Sequence, residues 1–198
     1  LDLSYFYQNP TESWKLIKEI FYDFMGKVDP NRAHTALAEM EQMGYVHATI
    51  TQNIDNLHQK AGSNTVYEYH GNSRELTCME CRKKHRIEEI SWQSMPPRCF
   101  SCQGILKPDF IFFGEGIPEP AGSLSHKEAY NSDLFLVIGT TGEIMPAALI
   151  PMEAKRNGAT IIEINIQPSH YTHAITDTFL QGKATEMMDG LLQAVKGS

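Results

Sequence analysis

The sequence predicts an α/β protein, a doubly wound parallel sheet with a small zinc-binding insertion module. Three observations carry that expectation. Short apolar runs broken at polar turns alternate with amphipathic stretches, the pattern of parallel strands joined by helices. The run Leu134 to Ile138 is apolar throughout, as a strand covered on both faces requires. The four cysteines fall as two pairs, Cys78-x2-Cys81 and Cys99-x2-Cys102, with 17 residues between the pairs.

Each element has its own signal. Asn9-Pro10-Thr11-Glu12 predicts a helix start, with Asn9 as N-cap, Pro10 at the first helical position and Glu12 at the third. Trp14, Ile17, Phe21 and Phe24 follow at helical spacing, and Gly26 can end the helix. Asp29-Pro30 predicts a second start, with Ala33, Leu37 and Met40 as its apolar stripe and Gly44 as its end. Val46 to Ile50 and Val66 to Tyr69 read as short strands, with a short helix between them capped by Asp55 and ending near Gly62. Lys107 to Glu115 holds a buried strand, and Ser125 to Ser132 a short helix. Leu134 to Ile138 is the next strand, Pro146 to Asn157 a helix stopped by Gly158, and Thr160 to Ile164 a further strand. A helix over roughly Thr185 to Val195 closes the chain. There is no internal repeat and no low-complexity segment.

With 198 residues, of which 41% are apolar and 21% charged, the chain can bury a core; a disordered tail and a coiled coil are excluded. The net charge of −7 argues against direct nucleic-acid binding, which calls for a basic face. No run approaches the roughly 18–20 apolar residues that span a bilayer, so no membrane partner is expected. Leu1 to Tyr5 shows no signal-peptide pattern, so a cytoplasmic location is expected. The sequence carries no signal of oligomeric state.

The cysteine spacing is that of a four-cysteine zinc site. Two residues between cysteines let both thiolates of a knuckle face one point, and two knuckles supply a tetrahedron. Two disulfides are the competing reading and need an oxidising compartment. Four sulfurs leave no open coordination position, so the zinc is expected to be structural. His85 lies inside this insert, but four cysteines already complete the site.

Three polar turns follow apolar strands, at 51–56, 139–142 and 165–168, and in a parallel sheet such turns share the carboxyl edge. Gly139, Thr140 and Thr141 combine close backbone approach with hydroxyls, which suits a phosphate, and Asn165 can hydrogen-bond a ribose. His70, which follows a strand, is the leading acid/base candidate. The other seven histidines lack a comparable setting; His170 and His173 sit in a turn-rich stretch with no third ligand nearby.

Taken together the motifs resemble one family. Thr51-Gln52-Asn53-Ile54-Asp55-Asn56-Leu57-His58, then Ala61-Gly62-Ser63, then Tyr69-His70-Gly71 resemble the catalytic core of the sirtuins. The cysteine pairs follow in sirtuin order. Leu106-Lys107-Pro108-Asp109 through Phe112-Phe113-Gly114-Glu115 resembles the substrate strand. Gly139-Thr140-Thr141, Pro146-Ala147-Ala148 and Ile164-Asn165 resemble the cofactor turns. The resemblance covers nearly the whole chain. It implies a Rossmann-like NAD-binding domain, 1–70 with 106–198, and a zinc-binding module, 71–105.

It also implies an activity, NAD-dependent protein-lysine deacylation. The acyl-lysine carbonyl oxygen would attack C1′ of the nicotinamide ribose, nicotinamide would leave, and the acyl group would end on ADP-ribose. His70 would be the general base, with Gln52 and Asn53 orienting the ribose and water. Ile54 and Asp55 would line the nicotinamide pocket. Gly139, Thr140, Thr141, Asn165, Ile166 and Gln167 would hold the ADP-ribose, with Lys183 and Ala184 bordering the adenine. The partner would be an acyl-lysine protein or peptide, added as a strand between Phe113-Gly114-Glu115 and Gly142-Glu143-Ile144, with Ile111 and Phe112 lining the lysine tunnel.

Two departures from the family pattern stand out. Gly142-Glu143 replaces a more usual apolar continuation after the hydroxyl, which bears on peptide preference. The glycine-rich loop and Arg-containing segment with which sirtuins begin have no counterpart before the first helix. These residues alone are therefore expected to leave an incompletely covered sheet and an open cofactor cleft. Two other readings compete: another NAD-consuming enzyme, such as an ADP-ribosyltransferase or NAD hydrolase, and a non-catalytic zinc-bearing binding module.

Overall fold

The computed structural model describes residues 1–23 and 27–197. Phe24 and Gly26, which the sequence assigns to the end of the first helix, lie outside the described residues. The elements in chain order are α1 (Leu3–Gln8), α2 (Pro10–Ile17) continued by a π-helical turn (Lys18–Tyr22), α3 (Arg32–Gln42), β1 (Thr49–Thr51), α4 (Leu57–Lys60), β2 (Val66–Glu68), β3 (Gly71–Cys78), β4 (Lys84–Arg86) and β5 (Leu106–Phe110). Then follow α5 (Ala121–Asn131), β6 (Leu134–Ile138), α6 (Leu149–Arg156), β7 (Thr160–Asn165), β8 (Thr178–Gln181) and α7 (Ala184–Lys196). Among the described residues no helix is long and apolar enough to cross a membrane.

The chain divides into two compact units. The first comprises Leu1–Asp29, Thr51–Asn56 and His70–Pro118; the second comprises Pro30–Ile50, Leu57–Tyr69 and Glu119–Ser198. Residues 1–29, 51–56, 70 and 106–118, which the sequence reading groups with the NAD-binding part, thus cluster with the cysteine-bearing segment. The reason is packing: Phe6, Trp14 and Ile17 share one core with Leu76, Cys78, Cys99, Leu106, Phe110 and Phe112.

In the first unit, Trp14 is fully buried and its indole N–H donates to the Leu106 carbonyl at 2.7 Å, so apolar burial and a polar bond act together. The sheet is antiparallel, in the order β4-β3-β5. The sequence misses β3 because Gly71-Asn72-Ser73-Arg74-Glu75 is polar; pairing on both sides holds it, not apolar periodicity. It also runs the substrate strand too far, for β5 ends at Phe110. A helix precedes the predicted one: Asp2 accepts from the Tyr5 N–H at 2.9 Å and caps α1. Asn9 does not cap α2 with its side chain, since its backbone also terminates α1, where its N–H bonds the Tyr5 carbonyl.

In the second unit, β6, β7 and β8 form a parallel sheet in that order. Ile164 in β7 packs with Ala36, Leu37 and Met40 of α3 and Met188 and Leu192 of α7. Among the described residues β6 pairs with β7 alone, and Leu134 at its start is 47% exposed. β1 and β2 pair in a separate two-stranded sheet. Helix α3 is capped by Asn31 rather than Asp29: the Asn31 carboxamide accepts from the Ala33 N–H at 2.9 Å, and His34 reaches back to the Asn31 N–H. β8 escapes sequence reading because Thr178-Phe179-Leu180-Gln181 is four residues long and only half-buried at its centre.

Candidate active site and zinc centre

In the first unit, His70 and the 51–56 turn meet. His70 Nδ1 lies 3.2 Å from the Gln52 carbonyl. A carbonyl only accepts, so the shared hydrogen is on Nδ1, which puts the basic lone pair on Nε2. Burial lowers the His70 pKa from 6.5, and the Gln52 carbonyl partly offsets that. The imidazole is therefore neutral at pH 7, as a general base requires.

Backbone geometry fixes this histidine. The Ile111 N–H donates to the His70 carbonyl at 2.9 Å, which ties the base to the segment leaving β5. Gly71 follows with a positive φ of 74°, and a Cβ there would stand 2.0 Å from the Asp109 carbonyl oxygen. Only glycine allows β3 and β5 to approach this closely. The turn is held too. The Asn53 N–H donates to Thr51 Oγ1 at 3.1 Å, the Ile54 carbonyl accepts from the Ser73 N–H and hydroxyl, and Asn56 accepts from Arg74 at 2.7 Å. Asn53 and Asp55 are exposed.

The predicted substrate segment lies in the same unit. Phe112 is buried, Ile111 and Glu115 are half-buried, and Phe113 and Gly114 are exposed. Lys107, which sequence reading assigned no role, secures it. Its ammonium donates to the Pro108 and Phe110 carbonyls at 2.9 and 3.0 Å and pairs with Glu115 at 2.8 Å. It also sits 4.1 Å from the centre of the Phe112 ring. Glu115 accepts from the Phe112 N–H at 2.8 Å, which closes the 112–115 turn. Burial lowers the Lys107 pKa, and Glu115 partly restores it. The signal available beforehand was a lysine inside an apolar strand with a glutamate eight residues on.

In the second unit, the turns after β6 and β7 share one edge; the third turn assigned to that edge, 51–56, instead follows β1, which pairs with β2 in a separate two-stranded sheet. Gly139 has a φ of 63°, donates its N–H to the Ile164 carbonyl at 3.0 Å, and has open space where a Cβ would stand. Asn165 Nδ2 donates to the Thr140 carbonyl at 3.0 Å, which links two predicted cofactor turns. The Gly182 N–H donates to the Asn165 carbonyl and Gln181 to the Ile166 carbonyl, so Lys183 and Ala184 join the same edge through β8. Gln167 is exposed beside Ile166. Exposed backbone, an open glycine and hydroxyls at one edge fit the ADP-ribose part of NAD. Glu143 and Ile144 are exposed, and Glu143 accepts from Thr141 Oγ1 at 3.1 Å.

Glu163, missed in the sequence because it looks like a polar fault in an apolar strand, is fully buried. It accepts from Ser169, Thr172 and Thr176 hydroxyls at 2.5, 2.9 and 2.8 Å. It thereby fixes the loop after β7, whose His170 N–H bonds the Thr141 carbonyl at 3.0 Å.

The four cysteines converge, with all sulfurs within 4.8 Å of one another. The closest approaches are Cys78 to Cys102 at 3.5 Å and Cys81 to Cys99 at 3.6 Å. A Zn–S bond of about 2.3 Å in a tetrahedron separates sulfurs by about 3.8 Å, whereas a disulfide needs about 2.05 Å. The cysteines are free, so the disulfide reading falls. A Cβ on Gly104 would stand 2.9 Å from Cys78 Sγ, so glycine keeps room for the cluster. Against burial, which would raise it, the Ser101 and Cys102 N–H groups and His85 hold the Cys99 thiol down at about 5. Against the Gly104 N–H, which would lower it, Cys78 and Cys81 push Cys102 up to about 12. Thiolates this close repel each other until a cation neutralises them, which suits Zn²⁺.

A model of the Sir2 family matches residues 1–146. The NAD-dependent protein deacetylase 1 of Pyrobaculum aerophilum is 41% identical over 199 residues, covering 99% of this chain and 77% of that protein. The NAD-dependent protein deacylase of Pyrococcus furiosus is 40% identical over 196 residues, covering 96% and 78%. Among solved structures, a Sir2–p53 peptide–NAD⁺ complex superposes with a TM-score of 0.92 at 32% identity, covering 100% of this chain and 82% of that one. Sir2Tm bound to a propionylated peptide gives 0.91 at 33% identity, covering 100% and 84%.

Proposed function

The chain belongs to the Sir2 family and is an NAD-dependent protein deacylase, and we propose that His70 is the general base of that activity. The observation that carries the proposal is the bond between His70 Nδ1 and the Gln52 carbonyl, which leaves Nε2 to take a proton. NAD, when bound, supplies the ADP-ribose that accepts the acyl group and the nicotinamide that leaves. Every other step belongs to the chain. Gln52 and Asn53 orient the ribose and water, and Ile54 and Asp55 enclose the carboxamide end. Gly139, Thr140, Thr141, Asn165, Ile166 and Gln167 bind phosphate and ribose, with Lys183 and Ala184 at the adenine.

Acylated peptide, which solved relatives bind, would add as a strand along Phe113-Gly114-Glu115, and Gly142-Glu143-Ile144 would be a second peptide-binding segment. Buried Phe112 and half-buried Ile111 would receive the lysine stem. Cys78, Cys81, Cys99 and Cys102 would hold a structural zinc in the 71–105 module, with which residues of 1–29 and 106–118 share a core, and 1–70 with 106–198 would carry the NAD-binding residues. Zinc-ligating thiols fit a reducing, cytoplasmic setting.

The test is mass spectrometry of products formed from NAD and a panel of acyl-lysine peptides. Free lysine peptide with O-acyl-ADP-ribose supports the reading. NAD cleaved equally without peptide, or ADP-ribose attached to protein, overturns it.

A further inference from the structure

The four zinc-binding thiolates are not equivalent. Cys81 and Cys102 are exposed, whereas Cys78 and Cys99 are buried. Cys99 has a neighbour that the zinc ligand set does not use: His85 Nε2 lies 3.3 Å from its sulfur. His85 is itself buried, at 8% exposure, between the exposed Lys84 and Arg86 of β4. Its backbone is held opposite Leu76 in β3, and its ring meets Phe100 edge-on at 5.0 Å. The ring therefore has little freedom to turn from the sulfur.

A thiolate bound to zinc carries no hydrogen, so the hydrogen shared with His85 must be the imidazole's. Four thiolates on one Zn²⁺ leave a net charge of about −2, calculated from the ion and its ligands. Donors aimed at the sulfurs spread that charge and orient the lone pairs; ligand neighbours of this kind change metal affinity by about 10–100-fold. The Ser101 N–H, 3.4 Å from Cys99 Sγ, is a second donor to the same atom.

We propose that His85 is a positioning residue of the zinc centre, donating its Nε2–H to the Cys99 thiolate and thereby slowing loss of the metal. The histidine is not a fifth ligand and does not touch the deacylation chemistry. Its effect is on how long the zinc stays and which thiolates are open to attack, the exposed Cys81 and Cys102 being the unprotected pair.

The test compares the zinc-loaded protein with His85→Phe, His85→Gln and His85→Met. Zinc loss to a coloured chelator is timed, and the thiolate-to-metal absorption of the Co²⁺-substituted proteins is recorded. The proposal expects His85→Phe and His85→Met to lose zinc about 10–100-fold faster with a displaced Co²⁺ band. His85→Gln, which keeps an N–H donor, should recover most of both. Should His85→Phe fail to fold, His85→Met against His85→Gln makes the same distinction. Wild-type release and spectrum in the folded apolar variants, or equal loss in His85→Gln and His85→Met, would overturn it and reduce His85 to packing.

Discussion

A Cβ on Gly142 would stand 2.8 Å from the ring of Tyr171. The ring is fixed, since Tyr171 is 1% exposed and its hydroxyl donates to the Ala148 carbonyl at 3.1 Å. Gly142 also has a positive φ of 75°, so the turn is glycine-specific on two counts. The departure from the usual apolar residue is thus packing: the turn makes room for Tyr171. Gly142→Ala is expected to lower stability by about 1–3 kcal/mol and to raise the KM for NAD, because the same turn carries Thr140 and Thr141. Thermal melting and initial rates check this, and an unchanged KM with an unchanged melting point contradicts it.

Glu163 anchors the loop that carries Tyr171. Replacing it with Ala leaves three hydroxyls without their shared acceptor inside the protein. The expected loss is about 2–4 kcal/mol, measured by denaturant unfolding, with Glu163→Gln losing less because it keeps one carbonyl acceptor. Equal stability of Glu163→Ala and wild type would show that water replaces the carboxylate without cost.

The legibility of these features differed for physical reasons. The cysteine spacing fixed the metal site because four sulfurs around one ion require little else. Strands β6 and β7 were visible as apolar runs broken at polar turns, although β6 is not covered on both faces as its sequence suggests: only Val137 in it is buried and Leu134 is exposed. Strand β3 was not, since its polar residues depend on pairing with β4 and β5, contacts distant in sequence. Cap choice was misread for α3 because Asn31 and Asp29 are equally good caps until the chain geometry selects one. Glu163 and Lys107 stayed hidden for the same reason: a charge in an apolar run gains its meaning only from partners that folding brings.

Lys107 and Glu115 offer a test of the substrate segment. The pair is largely buried, with 12% and 24% side-chain exposure. Lys107→Met should strand the Glu115 carboxylate, cost about 3 kcal/mol and loosen the 112–115 turn. The expected kinetic signature is a higher KM for acylated peptide with a smaller change in that for NAD. A rise confined to NAD would contradict the role given to Glu115.

The His70 pKa supplies a pH prediction. Its folded value lies below the ordinary 6.5, because burial penalises the imidazolium. The neutral form is thus favoured by folding; that contribution is complete above the unfolded value and is lost as pH falls through 6.5 towards the folded pKa. The acid limb of kcat/KM should accordingly fall on the acid side of 6.5. A limb at or above 6.5 would mean that another group sets it.

In the proposed mechanism Nε2 of His70 takes the proton during acyl transfer. The most direct measurement is the rate of O-acyl-ADP-ribose formation from NAD and acetyl-lysine peptide in wild type and His70→Ala, with NAD binding followed in both. A general-base role for His70 predicts loss of product by about 10²–10⁴-fold while NAD still binds. Product formed at the wild-type rate by a folded His70→Ala protein would contradict it.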